Sequence, residues 1–288
     1  MNGLTRGRSR TLRARPGQED ATLSFASFLR RGGRGGTAER IDEGSPWWGE
    51  HMARYGYAVE RVVGKTVLDV ACGVGYGLPR LQRTARWVVG ADIDPAAAEQ
   101  ARQALVAGRG EVVVSDAAKL PFGDSHFEAV TSFETLEHLP KSDEFLREIS
   151  RVLAPGGIFF VSTPNANYTL PVDGKPRNRY HVREYRPAEF AAELGRHFLV
   201  VELLGQRLSS RYVVPPFEWD MRDVADPVIR TNAVVRKVLY HCPSGLRERM
   251  SELLWGHPFF PNESHYSFSS VGVDDASVLL AVCTSRVT

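Results

Sequence analysis

The stretch Val67-Leu68-Asp69-Val70-Ala71-Cys72-Gly73-Val74-Gly75-Tyr76-Gly77 decides the fold. Apolar, branched residues lead to an acid and then to glycines at every second position. A buried strand that runs into a tight loop and on into a helix has this form. Glycine serves there because the backbone must turn sharply and approach a ligand closely, which a Cβ would obstruct. The dinucleotide fingerprint G-x-G-x-x-G needs glycine three residues after Gly75, and Leu78 stands there instead. The spacing argues against a dinucleotide. By itself it leaves a nucleotide-like ligand at a strand–helix turn.

Working outward, apolar runs alternate with helical segments from Thr66 on, the sequence form of a parallel α/β sheet. Strands are predicted at 66–71, 87–92, 111–115, 127–132, 158–163, 198–204 and 278–283. Helices are predicted at 77–83, at 95–107 with Asp94 as N-cap and Pro95 at the first position, at 142–153, and from Pro187 to about Gly195. Pro155-Gly156-Gly157 stops the third of these. Upstream, Trp47 to Val63 has helical spacing and is expected to cover the edge of the ligand cleft. The fold class is α/β: a Rossmann-like, seven-stranded, mostly parallel sheet with helices on both faces and a C-terminal lid insertion.

Residues 206–272 break the rhythm with aromatics, prolines and histidines, and so long a segment is not expected to lack structure. Helices near 228–240 and 245–255 would make it a lid over the acceptor, with most of its aromatics forming the lid's own core. The expected organisation is a basic, disordered arm over 1–40, a cofactor-binding core over 41–205, the lid over 206–272, and the final core strand within 273–288. The arm includes a short helix at 21–30 and a glycine-rich joint at 31–36.

The 288 residues have the composition of an ordinary globular protein, with a net charge of +2. The arm holds nine arginines against three acids, so the body is mildly acidic, which weakens the case for a nucleic-acid groove. No apolar run is long enough to span a bilayer. Cys72, Cys242 and Cys283 have no metal-like spacing, and a reduced, cytoplasmic protein is the economical reading.

Ligands of open α/β sheets bind beyond the carboxyl ends of the strands. Four such ends carry polar residues: the glycine loop, Asp92, Asp116, and Phe133-Glu134. Asp92 suits the two hydroxyls of a ribose, and Asp116 suits an exocyclic amine such as adenine N6. With Leu78 in place of glycine, these shift the ligand to adenosine with a small zwitterionic tail.

Residues 64–165 resemble the class I S-adenosylmethionine-dependent methyltransferases. The likeness rests on Val67 to Gly75, Gly90-Ala91-Asp92-Ile93-Asp94, Ser115 to Phe122, and Leu153-Ala154-Pro155-Gly156-Gly157. The resemblance implies that Asp69 and the backbone of Ala71, Gly73 and Gly75 hold the methionine part. Asp92 would hold the ribose, Ile93 would pack on the adenine, Asp116 and the Ala117 N–H would read its edge, and Phe133 would lie on its other side. Ala71 replaces the family's usual first glycine, which is tolerated if that residue keeps a negative φ.

Glu134-Thr135-Leu136-Glu137-His138 poses the sharper question. As a helical turn it would put Glu134, Glu137 and His138 on one face. The run resembles both ubiquinone-biosynthesis O-methyltransferases and RNA 3′-terminal 2′-O-methyltransferases, in which it can carry a divalent cation. His181 follows where the second group has a later histidine. The resemblance implies Mg²⁺ or Mn²⁺ on Glu134, Glu137, His138 and His181, or His138 and His181 as metal-free catalytic bases. Metal-free relatives also start a helix with such a run. The expected partner is a small-molecule acceptor such as a natural-product or sugar intermediate, methylated on a hydroxyl, with amine and carbon left open. A homodimer is compatible with the sequence. The alternatives are an RNA 2′-O-methyltransferase, against which the sequence offers no basic residues interleaved with aromatics, and a non-catalytic binding module.

Overall fold

The computed structural model describes residues 41, 44–171, 173–212 and 226–286. The expectations for the 1–40 arm, with its short helix and joint, lie outside the described residues, as do Phe217 and Trp219 of the lid.

An eight-stranded sheet runs in the order β3-β2-β1-β4-β5-β8-β6-β7. The strands are β1 (Thr66–Val70), β2 (Trp87–Asp92), β3 (Gly110–Val114), β4 (Phe127–Phe133), β5 (Leu153–Pro164), β6 (Phe198–Leu208), β7 (Tyr266–Ser269) and β8 (Val278–Ser285). β1 to β5 pair in parallel, whereas β8 runs antiparallel to both β5 and β6. Seven strands were expected, and β7 is the eighth. It pairs antiparallel with the end of β6, from Gly205↔Ser269 to Leu208↔Tyr266. The boundary expected between core and lid at 205/206 therefore falls inside β6. The sheet itself extends into the segment read as lid.

The helices are α1 (Trp48–Val59), α2 (Leu78–Leu81), α3 (Pro95–Ala104), α4 (Ser142–Val152), α5 (Ala166–Thr169), α6 (Pro187–Leu194), α7 (Pro227–Tyr240) and α8 (Ser244–Trp255). Asp94 caps α3 by accepting from the Ala96 N–H at 2.8 Å. α4 buries Phe145, Leu146, Ile149 and Val152, one face at helical spacing. It stops at Val152, and residues 154–157 loop out between the Phe127↔Leu153 and Ala129↔Ile158 pairs before β5 resumes.

Successive strand residues point to opposite faces, and both faces are covered. Leu68, Val130, Phe159 and Val161 meet Phe145, Ile149 and Phe190 on one side. Val67, Ala129 and Phe160 meet Tyr55, Leu78, Ala98 and Ala101 on the other. Helices on both faces leave only the strand ends open to a ligand, and this places the site.

Candidate active site at the switch point of the sheet

β1 is flanked by β2 on one side and β4 on the other, so the chain reverses its direction of travel across the sheet there. Such a switch point opens a crevice beyond the carboxyl ends of the strands. The glycine loop lies in it. Gly73 (φ +58°) has nothing within 4 Å of where a Cβ would stand, so the backbone faces open space. Gly75 (φ +80°) lies against α3, where a Cβ would come within 2.6 Å of the Ala101 Cα. Ala71 departs from expectation: its φ is +58°, in the left-handed region, not negative. An L-residue there costs roughly 1–2 kcal/mol, less about 0.4–1 kcal/mol that glycine would lose through the unfolded chain. Ala71→Gly is therefore expected to stabilise the protein by about 1 kcal/mol, read as a melting temperature raised by roughly 2 °C. A lower melting temperature would contradict strain at Ala71.

Asp69 is 1% exposed, and both its oxygens are engaged. The Tyr55 hydroxyl donates to Oδ2 at 3.0 Å and Thr131 Oγ1 donates to Oδ1 at 2.7 Å. Burial raises its pKa to about 7, opposed by those two hydrogen bonds and assisted by Asp92. Asp69 thus lies behind the loop, clamped by α1 and β4. Asp92, also buried, accepts from the Gly73 N–H at 2.7 Å (Oδ2) and from the Asp94 N–H at 2.9 Å (Oδ1). It ties the loop of β1 to the end of β2. Ile93 beside it is 63% exposed, an aliphatic surface at the crevice edge. Asp116 is exposed and accepts from the Ala118 N–H at 2.9 Å, while Ala117 packs against the core. Phe133 is not placed as an open aromatic wall: it is buried edge-on to Tyr55, with ring centroids 5.0 Å apart. Its ring belongs to the cluster under α1.

Sequence reasoning missed Arg54. It lies on the inward face of α1 and is completely buried. Its Nη1 donates to Gln206 Oε1 at 2.8 Å and lies 3.9 Å from Glu134 Oε1. Its Nε and Nη2 find no partner among the described residues. A buried guanidinium with donors unmet is costly, and an anion is what satisfies it. The signal in the sequence was an arginine at a core-facing position of an amphipathic helix, between Ala53 and Tyr55. Burial, followed by Arg54, holds the neighbouring His51 well below the usual histidine range, so His51 is neutral.

Residues 68–161 match the family described as "Methyltransferase domain". This core is a class I methyltransferase domain. A Mycolicibacterium smegmatis protein named "probable S-adenosylmethionine-dependent methyltransferase" is 35% identical over 153 residues, covering 53% of this chain and 59% of its own length. A ubiquinone biosynthesis O-methyltransferase of Xanthomonas oryzae is 34% identical over 157 residues, 49% of this chain and 65% of that one. The chain thus spans less than two thirds of these relatives. Among solved structures, the [4+2]-cyclase SpnF superposes with a TM-score of 0.56 at 20% identity, over 94% of this chain and 96% of that one. The methyltransferase partner in a Haloferax volcanii Trm112 complex gives 0.54 at 18% identity, over 94% and 98%. Both show the fold.

Within the methyltransferase domain, β4 leads into the acid–histidine run. The expected helical turn is shorter than predicted: a 3-10 turn covers Leu136–His138, and Glu134 precedes it with φ +52°. Glu134 therefore leaves the face of Glu137 and His138. Its Oε1 accepts from Ser162 Oγ at 2.7 Å, on the Arg54 side. Glu137 is fully buried; Oε2 accepts from Thr163 Oγ1 at 2.9 Å, and Oε1 has no hydrogen-bond partner among the described residues. Burial first, and then Glu134, push its carboxyl well above the usual range. His138 Nδ1 lies 3.0 Å from the Tyr180 carbonyl, which makes that nitrogen the donor and leaves the lone pair on Nε2. Burial lowers its pKa, Tyr180 opposes this, and His181 adds to it. The two histidine rings stand edge to face at 4.8 Å. His181 is held at both nitrogens, by Glu184 at 2.7 Å through Nδ1 and by Asn178 at 2.9 Å through Nε2.

One ligand atom each from Glu137, His138 and His181 lie within 4.8 Å of one another. Glu134 is outside this set. The unpartnered Glu137 oxygen fits a cation, but one carboxylate with two imidazoles suits a borderline transition metal better than Mg²⁺.

The stretch beyond Pro171 corrects another expectation. Lys175, Arg177, Arg179, Arg183 and Arg186 alternate with Tyr180 and Tyr185, with Arg179 over Tyr180 at 4.7 Å and Arg183 over Tyr185 at 4.5 Å. Basic residues interleaved with aromatics do flank His181 along the chain. In the segment expected to be a lid, Arg236 lies between Trp255 and Phe259, and Phe259 and Tyr212 are buried.

Proposed function

We propose that this protein transfers a methyl group from S-adenosylmethionine to a hydroxyl of a small molecule. The observation that carries the reading is the line of strand ends β3-β2-β1-β4, on which Asp116, Asp92, the glycine loop and the His138 turn stand in order. At about 4.8 Å between strands, that line is roughly 14 Å long, the reach of an adenosine with an amino-acid tail. Asp116 and the Ala117 N–H read the adenine edge, Ile93 covers its face, and Asp92 takes the ribose hydroxyls. Gly73 and Gly75 receive the tail. When bound, the cofactor supplies an electrophilic methyl on a positively charged sulfur. His138 Nε2 accepts the proton that a hydroxyl acceptor must lose, with Nδ1 fixed by the Tyr180 carbonyl. His181 positions the His138 ring from its edge. Alignment supplies most of the remaining acceleration. Relatives named for S-adenosylmethionine-dependent and O-methyl transfer support this reading.

A metal at Glu137, His138 and His181 is the further form of the same site. It would lower the pKa of a ligating hydroxyl. The basic, aromatic 175–186 stretch supports a second acceptor class, an RNA 3′ end, whose binding would weaken steeply with salt. The three free thiols fit the cytoplasm.

The test is a deuteromethyl cofactor incubated with a metabolite extract and with short RNAs, read by mass spectrometry and repeated after EDTA treatment. A labelled small molecule is the expected product. Labelled RNA alone would replace the acceptor class, no labelled product would overturn the reading, and EDTA-resistant turnover would remove the metal.

A further inference from the structure

We propose that the lid helices α7 and α8 dock this protein on the surface of an anionic lipid bilayer. The inference rests on the lid alone and is independent of the methyl-transfer reading. α7 turns Ala233, Arg236 and Leu239 inward, with Arg236 over the rings of Trp255 and Phe259, and α8 buries only Ser251. The opposite sides are aliphatic. On α7, Arg230, Val234 and Val238 follow one another at four-residue spacing, and all three are exposed. On α8, Leu246, Arg249 and Leu253 share one side at spacings of three and four. Leu253 is 78% exposed, Val234 64% and Val238 62%, and Leu254 adds to the surface. An outward aliphatic face of this kind marks an interaction surface.

Charge chooses its occupant. Residues 227–255 hold five basic residues and two acids, within a body that is otherwise acidic. Arg230, Lys237 and Arg249 are exposed beside the aliphatic stripes; of the acids on α8, Glu252 is exposed one turn from Arg249 and Glu248 is half-buried beside Arg247. A second copy pairing through the same face across a two-fold axis would bring arginines and lysines together. An anionic bilayer takes both features at once: Val and Leu enter the headgroup–acyl boundary while Arg and Lys meet lipid phosphates. No helix among the described residues is long and apolar enough to cross a membrane, so the contact is peripheral.

The experiment is co-sedimentation of the full chain with vesicles of phosphatidylcholine, alone or mixed with phosphatidylglycerol. Binding is expected to the mixed vesicles only, and to weaken as salt is raised. Val234→Glu with Leu253→Glu is expected to abolish binding with the melting temperature retained. Arg230→Gln, Lys237→Gln and Arg249→Gln, which leave the aliphatic face whole, are each expected to weaken binding about fivefold. Sedimentation equal for wild type and all variants, or none with anionic vesicles, would overturn the proposal. So would a wild-type dimer in light scattering that Leu253→Glu converts to monomer, since the face would then belong to a second copy.

Discussion

Asp92→Ala is expected to lower affinity for S-adenosylmethionine by at least a hundredfold. Two losses add. The proposed hydrogen bonds to the ribose hydroxyls involve a carboxylate, at about 1.5–3 kcal/mol each. The variant also frees the Gly73 and Asp94 N–H groups that Asp92 now receives, so the glycine loop loses its tie to β2. About 3 kcal/mol or more in total corresponds to that hundredfold. Asp92→Asn should be nearly as damaging, because one carboxylate oxygen becomes an amide N–H₂ facing a backbone donor. Asp94→Asn is the control, since it touches only the cap of α3. Titration calorimetry with the cofactor reads all three. Affinity unchanged in Asp92→Ala would sink the ribose assignment.

His138→Ala is expected to cost a factor of about 10² to 10⁴ in turnover on a hydroxyl acceptor, with cofactor affinity retained. The pH profile gives the sharper reading. Burial holds the His138 pKa below 6.5, so the imidazole is neutral and able to accept a proton at pH 7. Activity that needs the neutral ring is present above that pKa and falls as pH drops through it. The acid limb of kcat/KM should therefore lie below 6.5. His181 contributes to that lowering, so a His181→Asn variant should move the limb upward with a smaller loss of rate. Turnover within twofold of wild type in His138→Ala would place the base elsewhere, and an acid limb unmoved by His181→Asn would remove its positioning role.

The parts legible in the sequence are those whose partners lie nearby along the chain. Asp92 and Asp116 stand at strand ends, and the α/β rhythm locates strand ends without further information. Asp94 and Pro95 announce α3 in the same local way. What escaped depends on contacts across the fold. Arg54 meets Gln206 on β6, 152 residues away, and nothing local marks that buried side chain as more than part of a helix. Glu134 was misread because helical spacing was assumed for a residue that the end of β4 holds at positive φ. Ala71 departs from expectation in the other direction: a negative φ was expected because alanine disfavours the left-handed region, yet the loop holds it there at +58°. β7 is four residues of alternating aromatic and serine, too short to stand out until β6 supplies its partner.

The position of β8 bears on when the two halves of the molecule form. β1 to β5, which carry the glycine loop, Asp92, Asp116 and the histidine turn, are contiguous in sequence order and complete their own ladder by Pro164. β6 and its antiparallel partner β7 join the sheet through β8, which fits between β5 and β6 and comes last of the eight strands. During synthesis β1 to β5 therefore have every neighbour within their own ladder before the β8 that joins β6 and β7 to them has been made. Long-range antiparallel closure of this kind is slow because its loop entropy is lost before its contacts form. β6 and β7 are thus the last part to join, and until β8 has been made β5 presents an unpaired edge.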